Sequence, residues 1–113
     1  MVELVRNIAD AFSDSENLIF HEEECETLAV NVVRLQKGEQ SGLACHPDEE
    51  EIYLVTQGKG AVELNGTAYP VRPGQVIYVP RNYTHRARNM ADEPFEYVCV
   101  ANWPDRPGKA CAE

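Results

Sequence analysis

The feature that most restricts the fold is the punctuation of the sequence. Asn65-Gly66 is a strong two-residue hairpin signal, because both residues accept the positive φ that the tightest hairpin turns need. Gln57-Gly58-Lys59-Gly60 reads as another tight turn, with its glycines supplying positive φ, and Arg72-Pro73-Gly74 as a third. Around these turns, residues 27–35, 43–46, 52–56, 61–64, 67–71, 75–79, 85–89 and 95–101 are short runs of apolar and β-branched residues that read as strands. Many short strands with regularly spaced turns mean an all-β sandwich or barrel.

The N-terminal part reads differently. Leu4, Val5, Ile8, Ala9 and Phe12 recur near helical spacing, so residues 2–12 form a short helix or an edge strand. A polar break at 13–17 leads to the apolar run Leu18-Ile19-Phe20, then to the charged turn His21-Glu22-Glu23-Glu24, where His21 is expected on a solvated surface. After the last strand, Trp103-Pro104-Asp105-Arg106-Pro107-Gly108 begins a tail with no regular pattern.

At 113 residues the chain is expected to be one domain with a single core. A net charge of −9 argues against nucleic acid and anionic membrane surfaces as partners, and no apolar run is long enough to span a bilayer. The cysteines Cys25, Cys45, Cys99 and Cys111 form no CxxC pair, so a zinc knuckle or thioredoxin-type site is not expected. Glu3, Arg6 and Asp10 break up the N-terminal apolar residues, unlike a secretory signal. Free thiols in a reducing, cytoplasmic compartment are the expectation.

The chemistry concentrates at the joints between runs. His46 ends one run and Glu51 opens the next, with a short polar loop led by Pro47 between them. Antiparallel pairing of those runs would set the imidazole and the carboxylate across one hairpin mouth. His85 recurs at a second mouth. Two imidazoles and a carboxylate inside a β-structure are what a first-row metal ion needs. Alternation puts Ala44 with His46, Glu51 with Tyr53 and Val55, and His85 with Ala87 and Asn89 on inward faces, while Cys45 points away. Phe95, Tyr97 and Cys99 share the inward face of the last strand, because the opposite face carries Glu96. Asp48-Glu49-Glu50 reads as a solvated loop, and Arg86 and Arg88 as outward residues.

These residues resemble the cupin family. Gly38, the slot Ala44-Cys45-His46, Glu51 and Gly58 match its first motif, in which Ala44 stands where the family has a first histidine. Gly74, Pro80, Asn82, His85 and Asn89 match its second motif, with Asn82 in place of a glycine. The resemblance implies an all-β fold, the cupin double-stranded β-helix, a jelly-roll barrel of two facing sheets. It implies one domain over 1–113, with a core over about 26–103, an N-terminal segment at 1–25 and a tail at 104–113. Residues 2–20 are the candidate for homodimer formation.

The same resemblance leaves His46, Glu51 and His85 as metal ligands, a set like the facial triad of non-haem iron sites. Such a set would accept Fe, Mn, Ni, Zn or Cu. A displaced Cys45 or Glu50, a water or a substrate carboxylate could fill the place left by Ala44. Glu51 and Tyr53 are the candidate catalytic residues, and Tyr53, Val55, Arg81, Tyr97 and Cys99 the candidate substrate contacts. The implied function is a metal-dependent enzyme on a small polar or carboxylated molecule, of dioxygenase, isomerase or epimerase, decarboxylase or lyase type. The alternative is a non-catalytic small-molecule-binding cupin with an eroded metal site.

Overall fold

A computed structural model describes residues 3–105. After a 3-10 segment at Ile8–Ser13, the strands run β1 (Leu18–Phe20), β2 (Leu28–Leu35), β3 (Glu50–Gln57), β4 (Gly60–Leu64), β5 (Thr67–Val71), β6 (Val76–Val79), β7 (His85–Arg88) and β8 (Phe95–Asn102). They form a five-stranded sheet in the order β1-β2-β8-β3-β6 and a three-stranded sheet in the order β5-β4-β7. The named pairs are antiparallel. This is the expected cupin jelly roll, although the two sheets are not closed into one continuous barrel ladder.

Alternation builds the core between the sheets. Tyr53 and Val55 of β3, Phe95, Tyr97 and Cys99 of β8 and Val79 of β6 meet Val62 of β4, Val71 of β5 and Ala87 of β7. The inward face expected for β8 is therefore observed. Its other face is buried as well, because Glu96 is held by Arg34 at 2.8 Å and by the Thr56 hydroxyl at 2.7 Å. Charge pairing, not water, satisfies that carboxylate.

One turn expectation and one strand expectation need correction. Gly58 does have positive φ (74°), and a side chain there would run into the Pro94 carbonyl. Gly60 is an ordinary strand residue. It is small because a Cβ would lie 2.6 Å from the Phe95 ring. The expected strand at 43–46 is also absent as a strand. Only single bridges join Ala44 to His85 and Gln40 to Arg88. Between them the Ser41 hydroxyl accepts the Ala87 N–H at 2.8 Å, taking a bond that a strand carbonyl would otherwise accept.

The N-terminal segment folds back on the outer face of its own sheet. The part of residues 2–12 from Ile8 onward is 3-10 rather than α-helical or extended. Ala11 and Ile19 pack on Val32 and Val98, flanked by Phe12, Phe20, Val30 and Val100. Arg6 fixes this layer. It donates to both oxygens of Glu24 at 2.9 and 2.8 Å and to the Ile19 carbonyl at 2.8 Å, and it stacks 4.2 Å over the Phe20 ring. His21 sits half-exposed beside Asp14, as expected of a surface residue. Cys111 and tail residues 106–113 lie outside the described residues, as does Val2. Among the described residues no helix is long and apolar enough to cross a membrane.

The Arg6 hydrogen bonds, and that from the His21 N–H, hold the Glu24 carboxyl down from 4.5 to about 2. A depressed carboxylate contributes stability that is complete above its ordinary value and lost as the pH falls through the folded one. Lowering the pH from 5 to 2 is thus expected to loosen the N-terminal layer before the inner core. Amide exchange followed by NMR checks this: β1 amides should lose protection below ~pH 3 while β3 and β8 keep theirs.

Candidate metal centre

Local structure explains how each donor reaches the centre. Glu51 lies near the start of β3, paired with Ala101 of β8 on one side and Val79 of β6 on the other. Its side chain therefore points from the large sheet into the interior. His85 opens β7 in the small sheet. The backbones of His85 and Ala44 exchange two hydrogen bonds, of 2.8 and 3.0 Å, which sets Ala44 directly opposite the histidine. His46 follows two residues later on the same face. Its carbonyl accepts the Asn82 N–H at 2.8 Å, and Asn82 adopts the left-handed φ of 68° expected of the residue replacing glycine.

The three side chains converge. One donor atom each from His46, Glu51 and His85 lie within 4.8 Å of one another, and the two imidazole centroids are 5.2 Å apart. Glu51 is the hub. His85 Nε2 lies 3.1 Å from its Oε1, the Tyr53 hydroxyl donates to Oε1 at 3.2 Å, and the Cys99 thiol donates to Oε2 at 3.3 Å. Burial alone would raise the Glu51 carboxyl, yet its bonds from His85, Cys99 and Tyr53 together leave it below the ordinary value.

His85 is oriented from behind, where its Nδ1 faces the Tyr83 carbonyl at 3.1 Å. With Nε2 facing Glu51, both ring nitrogens address acceptors, an arrangement that favours the charged ring. The bond to Glu51 is the main reason its pKa is raised, with the Tyr83 carbonyl adding to it. A cation in place of the Nε2 proton would keep the same partners. This is the arrangement of a metal-ligating histidine, one nitrogen to the ion and the other to a backbone carbonyl.

The donor chemistry fits a divalent transition ion. Neighbouring ligands with bonds of ~2.1 Å at right or tetrahedral angles stand ~3.0–3.4 Å apart. The His85–Glu51 separation of 3.1 Å falls within that span.

The remaining candidate residues divide into two groups. Tyr53, Tyr97 and Cys99 close the inner end of the centre. The two tyrosine rings stack with centroids 4.6 Å apart, and burial pushes both phenols and the Cys99 thiol well above their ordinary values. At neutral pH all three stay protonated. Val55 lies further along β3 in the apolar core, where it pairs with Tyr97. Arg81 is outside the centre and bonded to Asp105 at 2.8 Å. Arg86 and Arg88 face outward as expected and share Glu63. Asn89 is fully buried and donates to the Leu35 and Glu93 carbonyls, so it locks two turns together.

The loop at 48–50 corrects the expectation most. Glu49 is not solvated. It is 8 % exposed, and its Oε1 lies 3.2 Å from His46 Nε2. Burial raises its carboxyl, with His46 opposing. Glu50 instead turns outward to accept the Tyr78 hydroxyl at 2.7 Å, and Cys45 is exposed. The signal for Glu49 was present: it has the same parity as Glu51, so extending β3 backwards by two residues puts both carboxylates on one face.

The cupin domain family matches residues 31–101, more than half of the sequence. This chain belongs to the cupin domain family. Two curated relatives show where else such sequences occur. Over 58 residues the cupin is 40% identical to a glucose-6-phosphate isomerase of Thermococcus onnurineus, covering 47% of this chain and 31% of the isomerase. Over 64 residues it is 36% identical to the polyketide synthase CurC of Streptomyces cyaneus, covering 57% of this chain and 42% of that protein. The cupin therefore spans less than half the length of either relative. A double-stranded β-helix protein of Klebsiella pneumoniae superposes with a TM-score of 0.79 at 18% identity, over 92% of this chain and 88% of that one, and supports the fold.

The hub makes a mutational prediction. Tyr53→Phe removes one hydroxyl from a buried carboxylate without opening a cavity, and is expected to destabilise the metal-free protein by ~1–2 kcal/mol. Urea unfolding of the two proteins measures it. A difference near zero would mean that the hydroxyl leaves Glu51 unaffected.

Proposed function

We propose that this cupin is a metal-dependent enzyme acting on a small polar, oxygen-rich or carboxylated molecule. The observation that carries the reading is the convergence of His46, Glu51 and His85 on one point. A divalent ion held by these three would act as a Lewis acid on a carbonyl, carboxylate or enolate oxygen of the ligand.

The chain's own residues supply the rest. Tyr53, Tyr97 and Phe95 fill the space beneath the centre and exclude water from it. Ligand therefore enters from the side of His46, whose side chain is 39% exposed. Ala44, opposite His85, offers no donor atom of its own there. The protonated Tyr53 hydroxyl serves as a hydrogen-bond donor that keeps Glu51 in place, rather than as a base. Arg81 can meet an anionic ligand only by leaving Asp105. The sugar-phosphate isomerase among the relatives supports a small polyhydroxylated substrate, and isomerisation through an enolate suits this donor set.

Metal analysis tests the reading. Protein purified without chelators and offered Fe(II), Mn(II), Ni(II), Zn(II) or Cu(II) is expected to keep about one equivalent of at least one of them. Retention below about a tenth of an equivalent of every ion would leave the alternative, a non-catalytic small-molecule-binding cupin. The alanine at position 44 favours that second reading.

A cytoplasmic homodimer completes the proposal. Cys25, Cys45 and Cys99 are free, which supports a reducing compartment. The N-terminal layer covers only the β2–β8 half of the outer face. Ile52 and Leu54 of β3 and Val76 and Tyr78 of β6 remain exposed beside each other. A second copy seated on this strip would bury it. Light scattering should give twice the chain mass for the wild type and the single-chain mass for Leu54→Lys. An equal mass for both proteins would remove the β3–β6 face from the interface.

A further inference from the structure

The geometry points to Glu49 as the fourth protein ligand of the metal centre, taking over the coordination that a histidine at position 44 would have supplied. This rests on the reading of His46, Glu51 and His85 as a metal site.

Three observations carry it. First, Glu49 is a buried carboxylate whose Oε1 lies 3.2 Å from the donor nitrogen of a proposed ligand, His46 Nε2. An imidazole nitrogen offers its lone pair in one direction only. An ion bound to that lone pair would stand within reach of a carboxylate oxygen 3.2 Å from the same nitrogen. Second, the spacing is that of neighbouring ligands. The 3.2 Å of His46–Glu49 matches the 3.1 Å of His85–Glu51, and both fall within the ~3.0–3.4 Å expected between adjacent donors on one ion. Two imidazole–carboxylate pairs thus stand at the centre, with Glu49 joined to the converging three through His46. Third, the charges balance. Two carboxylates and two neutral imidazoles neutralise a divalent cation, whereas a buried pair of carboxylates without one repel each other.

Position 44 cannot do this work. Its methyl offers no lone pair, and the two alternatives nearest in sequence are engaged elsewhere: Glu50 faces Tyr78 and Cys45 is exposed. Glu49 reaches the centre from the β3 side, while residue 44 would reach it from the strip beside β7. The donor set changes from three imidazoles and one carboxylate to two of each. Carboxylate-rich sets suit harder ions, so Mn(II) and Fe(II) gain relative to Cu(II).

Co(II) alone is the probe, titrated into the full chain as wild type, Glu49→Gln, Glu51→Gln and the double variant Glu49→Gln with Ala44→His. Gln keeps an oxygen that can accept from His46 but coordinates poorly. It therefore separates a ligand from a residue that only orients the histidine. Glu49→Gln is expected to weaken Co(II) binding by about tenfold or more and to change the visible ligand-field spectrum, and Ala44→His to restore affinity in that background. Binding by Glu49→Gln within about twofold of wild type, with an unchanged spectrum, overturns the inference, as does a weakening that leaves the spectrum unchanged. Loss in Glu51→Gln alone would keep the three-residue site and discard Glu49. Failure of the wild type to bind any of the ions offered would sink the metal-centre reading itself. A crystal structure of Co(II)-loaded wild type needs no variant to fold: a Glu49 oxygen at ~2.0–2.2 Å from the ion supports the assignment, and one beyond ~3 Å refutes it.

Discussion

A carboxylate held between two sheets, with its side chain 12% exposed, is the constraint on which this cupin turns. Glu51 belongs to the large sheet, and the imidazole that answers it, His85, belongs to the small one. Their contact spans the interior at the end of the fold where β7 begins. Removing either partner would strand the other's charge away from water, at a cost of several kcal/mol. The tyrosine and the thiol on Glu51 lower that cost by supplying further donors. The same group is therefore a structural bond between sheets and the hub of the candidate centre.

The barrel accommodates this polar contact because the rest of the interior is apolar and tightly filled. Val55, Val62, Val79, Ala87 and Phe95 fill the core, and the Tyr53–Tyr97 stack stands between it and the candidate centre. Gly60 shows how little slack there is, since even one methyl group would meet the Phe95 ring. Rigid walls of this kind hold ligands at fixed separations, which a metal centre needs for geometry and affinity.

Two layers of charge pairing complete the molecule. On the outside, Arg6 and Glu24 pin the N-terminal segment over β2 and β8, and Arg34 and Glu96 seal the sheet edge beneath it. Inside, the pairs His46–Glu49 and His85–Glu51 face one another across the mouth. The outer pairs involve arginines that are always charged. The inner ones involve histidines that can exchange a proton for a metal, and only these have the chemistry of a site.

The strands were legible from sequence because alternation and turn chemistry are local properties. Asn65-Gly66 and Arg72-Pro73-Gly74 bracket β5 wherever the chain goes, and the parity of His46, Glu51 and His85 put them on inward faces before any fold was known. The family motifs then gave the partners of each face. What only the tertiary structure decided are matters of proximity and room. The run at 43–46 meets β7 through a single bridge at Ala44, and just before it the Ser41 hydroxyl takes the N–H of Ala87, a residue distant in sequence. Gly60 is small because Phe95 arrives from another sheet, and Arg81 pairs with Asp105, a residue distant in sequence. Glu49 sits at the border of the two kinds of knowledge: its parity was written in the chain, but its burial depended on the hairpin folding the loop inward over His46. A sequence sets which way a side chain points along its own strand, and only packing sets which groups stand opposite it and whether water remains between them.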